Sequence, residues 1–379
     1  MTEQTCPALL DYLADVADPR QSQGLRHPLS AVLSLCVCAM LCGYRSYTAM
    51  AEWGRNYGGD LLQALGFTHE KSPCAATLNT ILRSLDAEHL EAQLAAWAEA
   101  VMRVVAPADL NAIAIDGKAL RGSRRQGAQG AQLLAALGHR LGLTLRQQAV
   151  GEQRSEQATL PEVLTALVLD GRVVTVDALH TRAETAQTIL AAGGDYVMVV
   201  KGNQPQLREE IARLMADEAL VAQSGETAQT LDCGHGRIEE RRLTSSTALA
   251  GYSKFPGLQQ VFRVERRVVQ KKSGVERVET VYGVTSLGRE RASAAALLQL
   301  VRGHWAVENK LHWVRDVTFD EDRSQVRVGS LAQVMAALRN TVIGLLRQAG
   351  ESNIAAACRR LAAQPWAALA LVGITRKTE

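Results

Sequence analysis

Two apolar runs in the middle of the chain, NAIAID (111–116) and GRVVTVD (171–177), each stop on an aspartate. Alternating and β-branched residues of this kind read as strands. Helix-like PEVLTALVL precedes the second run, and a further helix, AETAQTILAAG, leads from it to a third strand, DYVMVVKGN. Between the first two aspartates, QLLAALGH and LTLRQQAV read as short strands. Strands alternating with helices imply an α/β core. Asp116 and Asp177 then stand at the carboxyl ends of core strands, where catalytic groups gather in such sheets. Two carboxylates from nearby strands repel one another unless a cation sits between them, which points to a divalent metal. For either aspartate alone, a helix N-cap or turn residue is the stronger reading.

The regions on either side have a different period. Residues 1–105 are helical in pattern, with apolar residues every three to four positions in LLDYLADV, in 29–43 and in LEAQLAAWAEAVMRVV. The run AVLSLCVCAMLCG (31–43) is too short to cross a bilayer and fits a buried helix. The segment 72–86 places Leu78, Ile81, Leu82 and Leu85 on one helical face. It suits either core packing or the second helix of a helix-turn-helix. In 204–290 a charged helix (QLREEIARLMADEAL) precedes GRIEERRL, LQQVFRVERRVVQKK and GVERVETVYGVTSL, which read as antiparallel strands with one polar face. Residues 291–379 return to a helical pattern. A chain of 379 residues exceeds the usual single domain. The expected division is a helical domain, 1–105, followed by 106–379 with a β-rich insertion at about 204–290.

Charge is divided unevenly. Residues 1–100 hold 6 Lys/Arg against 11 Asp/Glu, a net of −5, which leaves +8 for the rest of a chain whose total is +3. A basic body suits a polyanion, whose condensed counterions are released when Lys and Arg neutralise phosphates. A solvated basic face has the same composition. The seven cysteines form no paired C-x-x-C clusters and have no neighbouring His at zinc-finger spacing, which argues against a zinc module and a disulfide framework. Cys36, Cys38 and Cys42 lie in the apolar run and read as core residues. With no basic-then-apolar leader at the start, the expectation is a soluble cytoplasmic protein, nucleoid-associated if it binds DNA.

A third acid stands apart. In HWAVENKLHWVRD, an α-helical period sets His304, Glu308, His312 and Arg315 along one stripe, with Trp305 packing beneath. A carboxylate among three basic groups suits a metal ion and phosphates in one cleft, and equally a surface salt-bridge face. The H-E-x-x-H run usual for a helical zinc site is absent.

These segments together carry a family resemblance. AIDGKALRGS (114–123), VVTVDALHTRAETAQ (173–187), GGDYVMVVKGNQPQL (193–207), CGHGRIEERRL (233–243) and RGHWAVENKLHWVRDVTFDED (302–322) resemble bacterial insertion-sequence DDE transposases of the H-repeat-associated branch. DYLADVADPRQSQGLRHPL (11–29) is similar to the helical domain that precedes the catalytic domain there, so the likeness runs from about residue 10 to 345.

The resemblance implies an RNase H-like catalytic core with an inserted antiparallel β subdomain, preceded by an all-α domain. Asp116, Asp177 and Glu308, at intervals of 61 and 131 residues, match the catalytic triad. The implied cofactor is Mg²⁺, with Mn²⁺ able to substitute. Two such ions activate the nucleophile and stabilise the leaving oxygen. The implied reaction is phosphodiester hydrolysis at the element's ends, then strand transfer into target DNA. The implied partners are double-stranded DNA, as terminal inverted repeats and as target, and a second copy of the chain on DNA. Lys118, Arg121, Arg124, Arg125 and Lys201 are expected to hold the DNA backbone. So are Arg237, Arg241, Arg263, Arg266 and Arg267 on the β insertion, with His304, His312 and Arg315 beside the third acid. Related transposases carry Tyr, Arg, Glu and Lys around that acid. Val301, His304, Glu308 and Arg315 stand at the matching positions here, which leaves the route after first-strand cleavage open.

Overall fold

A computed structural model describes residues 6–21, 25–105, 110–123, 130–151, 153–234 and 236–376. The chain folds as two compact units. The first comprises Met1–Asp109, Gly117–Thr159 and Val307–Glu379, and the second Leu110–Asp116 and Leu160–Ala306.

Six helices open the chain: α1 (Leu9–Ala14), α2 (Leu29–Leu41), α3 (Tyr47–Asn56), α4 (Gly58–Ala64), α5 (Ala75–Ser84) and α6 (Ala87–Val105). Strands β1 (Asn111–Ala119), β2 (Gln132–Gly138) and β3 (Thr144–Val150) follow, then α7 (Glu156–Thr165), β4 (Arg172–Val176), α8 (Ala183–Ala191) and β5 (Asp195–Val200). After α9 (Pro205–Ala216) and α10 (Glu218–Ser224) come β6 (Gly225–Gly234), β7 (Arg237–Ser246), β8 (Gln260–Gln270) and β9 (Glu276–Thr285). The remaining helices are α11 (Ala294–Val307), α12 (Leu331–Gln348), α13 (Ile354–Ala363) and α14 (Pro365–Val372).

In the first unit, α2 is the hub. Every residue from Ala31 to Leu41 is buried, including Cys36 and Cys38. A helix apolar all round must be covered all round, and α1, α3, α12, α13 and α14 pack on it. Burial drives the thiols of Cys36 and Cys42 up to about 12, so they act as small apolar groups. The hairpin β2–β3 packs against α6 and α12.

The second unit is a large mixed sheet. β1, β4 and β5 run parallel, and β5, β9, β8, β7 and β6 follow as antiparallel neighbours. Phe262, Val264, Leu243, Val173 and Val197 bury one face against Leu297, Leu298 and Val301 of α11.

Three elements differ from the sequence reading. β1 runs on to Ala119, so Asp116 lies inside the strand. α7 begins at Glu156, five residues before Pro161, with that proline inside the helix. β6 has a period-2 burial pattern but few β-branched or aromatic residues, so its sequence, GETAQTLDCG, carries little strand signal.

Candidate functional site

In the second unit, β1 and β4 pair in parallel up to Ile115↔Val176; Asp116, still in β1, and Asp177, just past the end of β4, are the next residues. Both are half-buried. Asp177 also caps the short turn that follows: its carboxylate accepts from the His180 amide at 3.3 Å. Thr181 ties that turn down, its hydroxyl 3.0 Å from the Asp177 carbonyl oxygen and 2.6 Å from that of Val199 in β5. The Asn203 amide group donates to the Ala178 carbonyl oxygen at 2.6 Å. Hydrogen bonds from Thr181 and Asn203 thus hold the backbone of the strand end, and the His180 amide bonds the Asp177 carboxylate.

His304 lies buried behind the pair, its Nδ1 3.2 Å from the Thr175 hydroxyl. Burial pushes its pKa down to about 4, although the neighbouring Asp177 charge works the other way. It is therefore neutral near pH 7 and contributes no positive charge. Lys201 is exposed just past the end of β5.

The first unit resumes at Val307, the last residue of α11, with two π-helical turns, Glu308–His312 and Val314–Thr318. Such turns recur at functional sites, because the wider coil re-aims side chains. The glutamate is mostly exposed and lies 3.1 Å from His312 Nδ1. That bond, and beyond it the charges of His312 and Lys118, hold the Glu308 carboxyl below its usual range against the opposing effect of burial. Glu308 and His312 thus set a carboxylate and an imidazole side by side, both groups that ligate divalent metals.

Beyond the Glu308–His312 contact the expected stripe does not hold together. Arg315 is fully buried, held at 2.8 Å to Glu321, so a phosphate contact would require that pair to open. Trp305 is 56 % exposed instead of packing beneath the stripe. Lys118 reaches Asp316 at 2.6 Å. Arg121 is largely solvent-exposed, 3.7 Å from Asp322. Arg124 and Arg125 lie outside the described residues.

Of two closely approached glycines in the AIDGKALRGS block, Gly122 meets backbone that cannot give way, and Gly117 meets only the end of a flexible side chain. A Cβ on Gly117 would strike the Glu156 carboxylate, and one on Gly122 would strike the carbonyl oxygen of Ser324. Glu156, which also accepts from Gln132, brings a further acid against the residue that follows Asp116. The sequence reading missed it. Its only sequence signal is the glycine, which lets an unnamed neighbour approach.

On the sheet, Arg241 and Arg266 face each other across β7 and β8, and Glu239 bridges them. Arg237 approaches the same carboxylate at 3.6 Å. Arg263 donates to the Met215 carbonyl oxygen at 3.2 Å, and Arg267 pairs with Glu276 at 2.7 Å. The basic face is therefore laced with acids.

Residues 107–345 match the family described as Transposase DDE domain, and residues 10–98 match the region described as DDE_Tnp_1-associated. YncI of Escherichia coli O157:H7, a transposase by name, is 28% identical over 349 residues, which covers 90% of this chain and 87% of YncI. The H repeat-associated YhhI of Escherichia coli K12, also a transposase by name, is 27% identical over 351 residues, 89% of this chain and 90% of YhhI. Among solved structures, a piggyBac transposase synaptic complex with hairpin DNA aligns over 96% of this chain and 76% of its own, at 10% identity and a TM-score of 0.41.

Proposed function

Because the chain belongs to the transposase DDE family, we propose that it cuts DNA at the ends of a mobile element and joins the freed 3′ ends to target DNA, using Asp116, Asp177 and Glu308 as metal-holding acids. The observation that carries this reading is the parallel register Ile115↔Val176, which Asp116 and Asp177 each directly follow. Like charges so placed are stable together when a cation lies between them. Glu308, kept ionised by His312, supplies the third oxygen donor. An all-oxygen set of this kind fits Mg²⁺ or Mn²⁺. When bound, such ions activate the attacking hydroxyl and stabilise the leaving oxygen.

The chain's own residues prepare that chemistry. The Thr181 hydroxyl and the His180 amide bond the Asp177 carbonyl oxygen and carboxylate, and Asn203 holds the next residue, Ala178. Neutral His304 packs behind without competing for the anionic substrate. An RNase H-like core is supported by the parallel β1–β4–β5 set and by the antiparallel β2–β3 hairpin. Residues 1–105 are the proposed helical domain for DNA ends, and the β6–β9 sheet, with its exchangeable arginines, is a proposed backbone contact.

Asp177→Asn and Glu308→Gln test the site. Each should abolish cleavage of a duplex carrying the element's inverted repeats in Mg²⁺, while duplex affinity stays within about threefold, since cleavage and phosphate contacts are separate terms. Cleavage that survives both changes would remove the site assignment. Cleavage by the wild type without products joined to a target plasmid would replace the transposase with a nuclease.

A further inference from the structure

A cavity of about 290 Å³ in the first unit is lined by the start of α3 and by the segment that follows the π-helical turns. Arg45, Ser46, Tyr47 and Thr48 come from the first element, Asp320 and Arg323 from the second, and Arg339 from α12. The space is several times the roughly 30 Å³ share of one water.

Three independent features of the wall suit an anion. First, Ser46 caps the ten-residue α3, its hydroxyl accepting from the Ala49 amide at 3.2 Å. The Met50 amide makes the first helical bond, to the Ser46 carbonyl oxygen. The amides of Tyr47 and Thr48 are then the outer donors at the positive end of the helix dipole. Second, Arg339 is 3 % exposed, and while its Nη1 donates to Glu321 at 2.9 Å, its Nε has no hydrogen-bond partner. A buried guanidinium donor without an acceptor is costly unless a ligand supplies one. Third, Arg45 and Arg323 are exposed at the rim. Arg323 is only loosely engaged, its Nε 3.7 Å from Asp320, the single non-glycine residue with positive φ (54°) among those described. Counting Arg315 and Glu321 behind the wall, four guanidiniums face two carboxylates.

We propose that this cavity seats a phosphodiester of bound DNA. Its oxygens accept from the Tyr47 and Thr48 amides at the helix end, from Arg45 and Arg323 at the rim and from Arg339 within. The seat rests on the DNA-processing reading above and extends it, since none of these residues belongs to the acid triad. Through Arg339, Glu321 and Arg315, a filled seat is tied to the π-helical turns that carry Glu308. Backbone contacts of this sort set register and carry no sequence information.

The test is duplex binding by the full-length protein, read by fluorescence anisotropy across a salt series. R45A/R323A should bind any duplex about tenfold more weakly near 0.1 M salt, with a log–log salt slope shallower by about one. Thr48→Glu, which adds a carboxylate to the wall where an acid favours the helix, should weaken binding similarly without lowering the melting temperature. Wild-type affinity and slope in both variants would overturn the seat. Inorganic pyrophosphate at constant ionic strength separates the sources of phosphate. Displacement of duplex from the wild type, blunted in R45A/R323A, supports a DNA phosphate. Pyrophosphate that stabilises only the wild type while both proteins bind duplex equally would make it a free-phosphate site and overturn the proposal. A wild type that binds no duplex would overturn the functional reading as well, whereas intact wild-type binding with unaffected variants overturns the seat alone.

Discussion

Two arginine clusters, each gathered round one glutamate, differ in their access to water. On the sheet, Glu239 takes Arg241 at 2.6 Å, Arg266, and Arg237 at 3.6 Å, and these arginines keep 20–43% of their side-chain surface exposed. In the first unit, Glu321 takes Arg315 at 2.8 Å and Arg339 at 2.9 Å, and no member is more than 3% exposed. Glu239 itself is only 6% exposed, but its arginines keep contact with solvent, so one of them can turn to a phosphate while another still holds the acid. Buried charges cannot be released without leaving a partner unpaired in a poor solvent. The same residue types thus make an adaptable surface in one place and a fixed brace in the other.

The brace should give the largest effect. Glu321→Gln leaves Arg315 and Arg339 buried without a counter-charge and should cost about 3–5 kcal/mol of stability in urea unfolding. Burial raises the Glu321 pKa, but the two arginines outweigh it and hold the group below its ordinary 4.5. A depressed folded-state pKa gives stability that is complete above the unfolded value and is lost as the pH falls through the folded one. The gap between wild type and Glu321→Gln should therefore be full above about pH 4.5 and close on further acidification. A gap that does not change with pH would mean the loss comes from packing and not from charge.

Glu239→Gln sharpens the contrast from the other side. It should cost less than Glu321→Gln, because the arginines it releases can still be solvated, and should tighten duplex binding, because Arg241 and Arg266 lose their carboxylate competitor. A loss as large as that of Glu321→Gln would erase the distinction between the clusters. The smallest effect belongs to Arg267, whose pair with Glu276 is open to solvent. Arg267→Ala should leave the melting temperature unchanged and weaken duplex binding only slightly, a difference best read at low salt.

How much was legible in the sequence follows from the range of the interactions. Asp116 and Asp177 were legible because an apolar run ending in an acid is a local signal, and each acid directly follows the last pair of the parallel register. The contact of Glu308 with His312 was legible from a four-residue spacing, which the π-helical winding preserves. The winding itself was not, nor was the burial that breaks the expected stripe: His304 is buried and neutral, Trp305 is exposed and Arg315 is buried. Glu321 gave no signal as a hub, because its partners stand 6 and 18 residues away, on the far sides of a chain reversal. Glu156 was hidden for the same reason, visible only as the space that Gly117 leaves.

By itself the sequence determined the α/β alternation, the all-round buried helix α2, the antiparallel charged strands and the two aspartates that end apolar runs. These depend on period and polarity over a few residues, where backbone geometry translates pattern directly into structure. Tertiary structure alone decided which charges are spent and which are free to act. Whether an arginine braces a core or meets a phosphate depends on the acids that distant segments bring to it and on how much water is left around the pair. Neither is written in its neighbours along the chain.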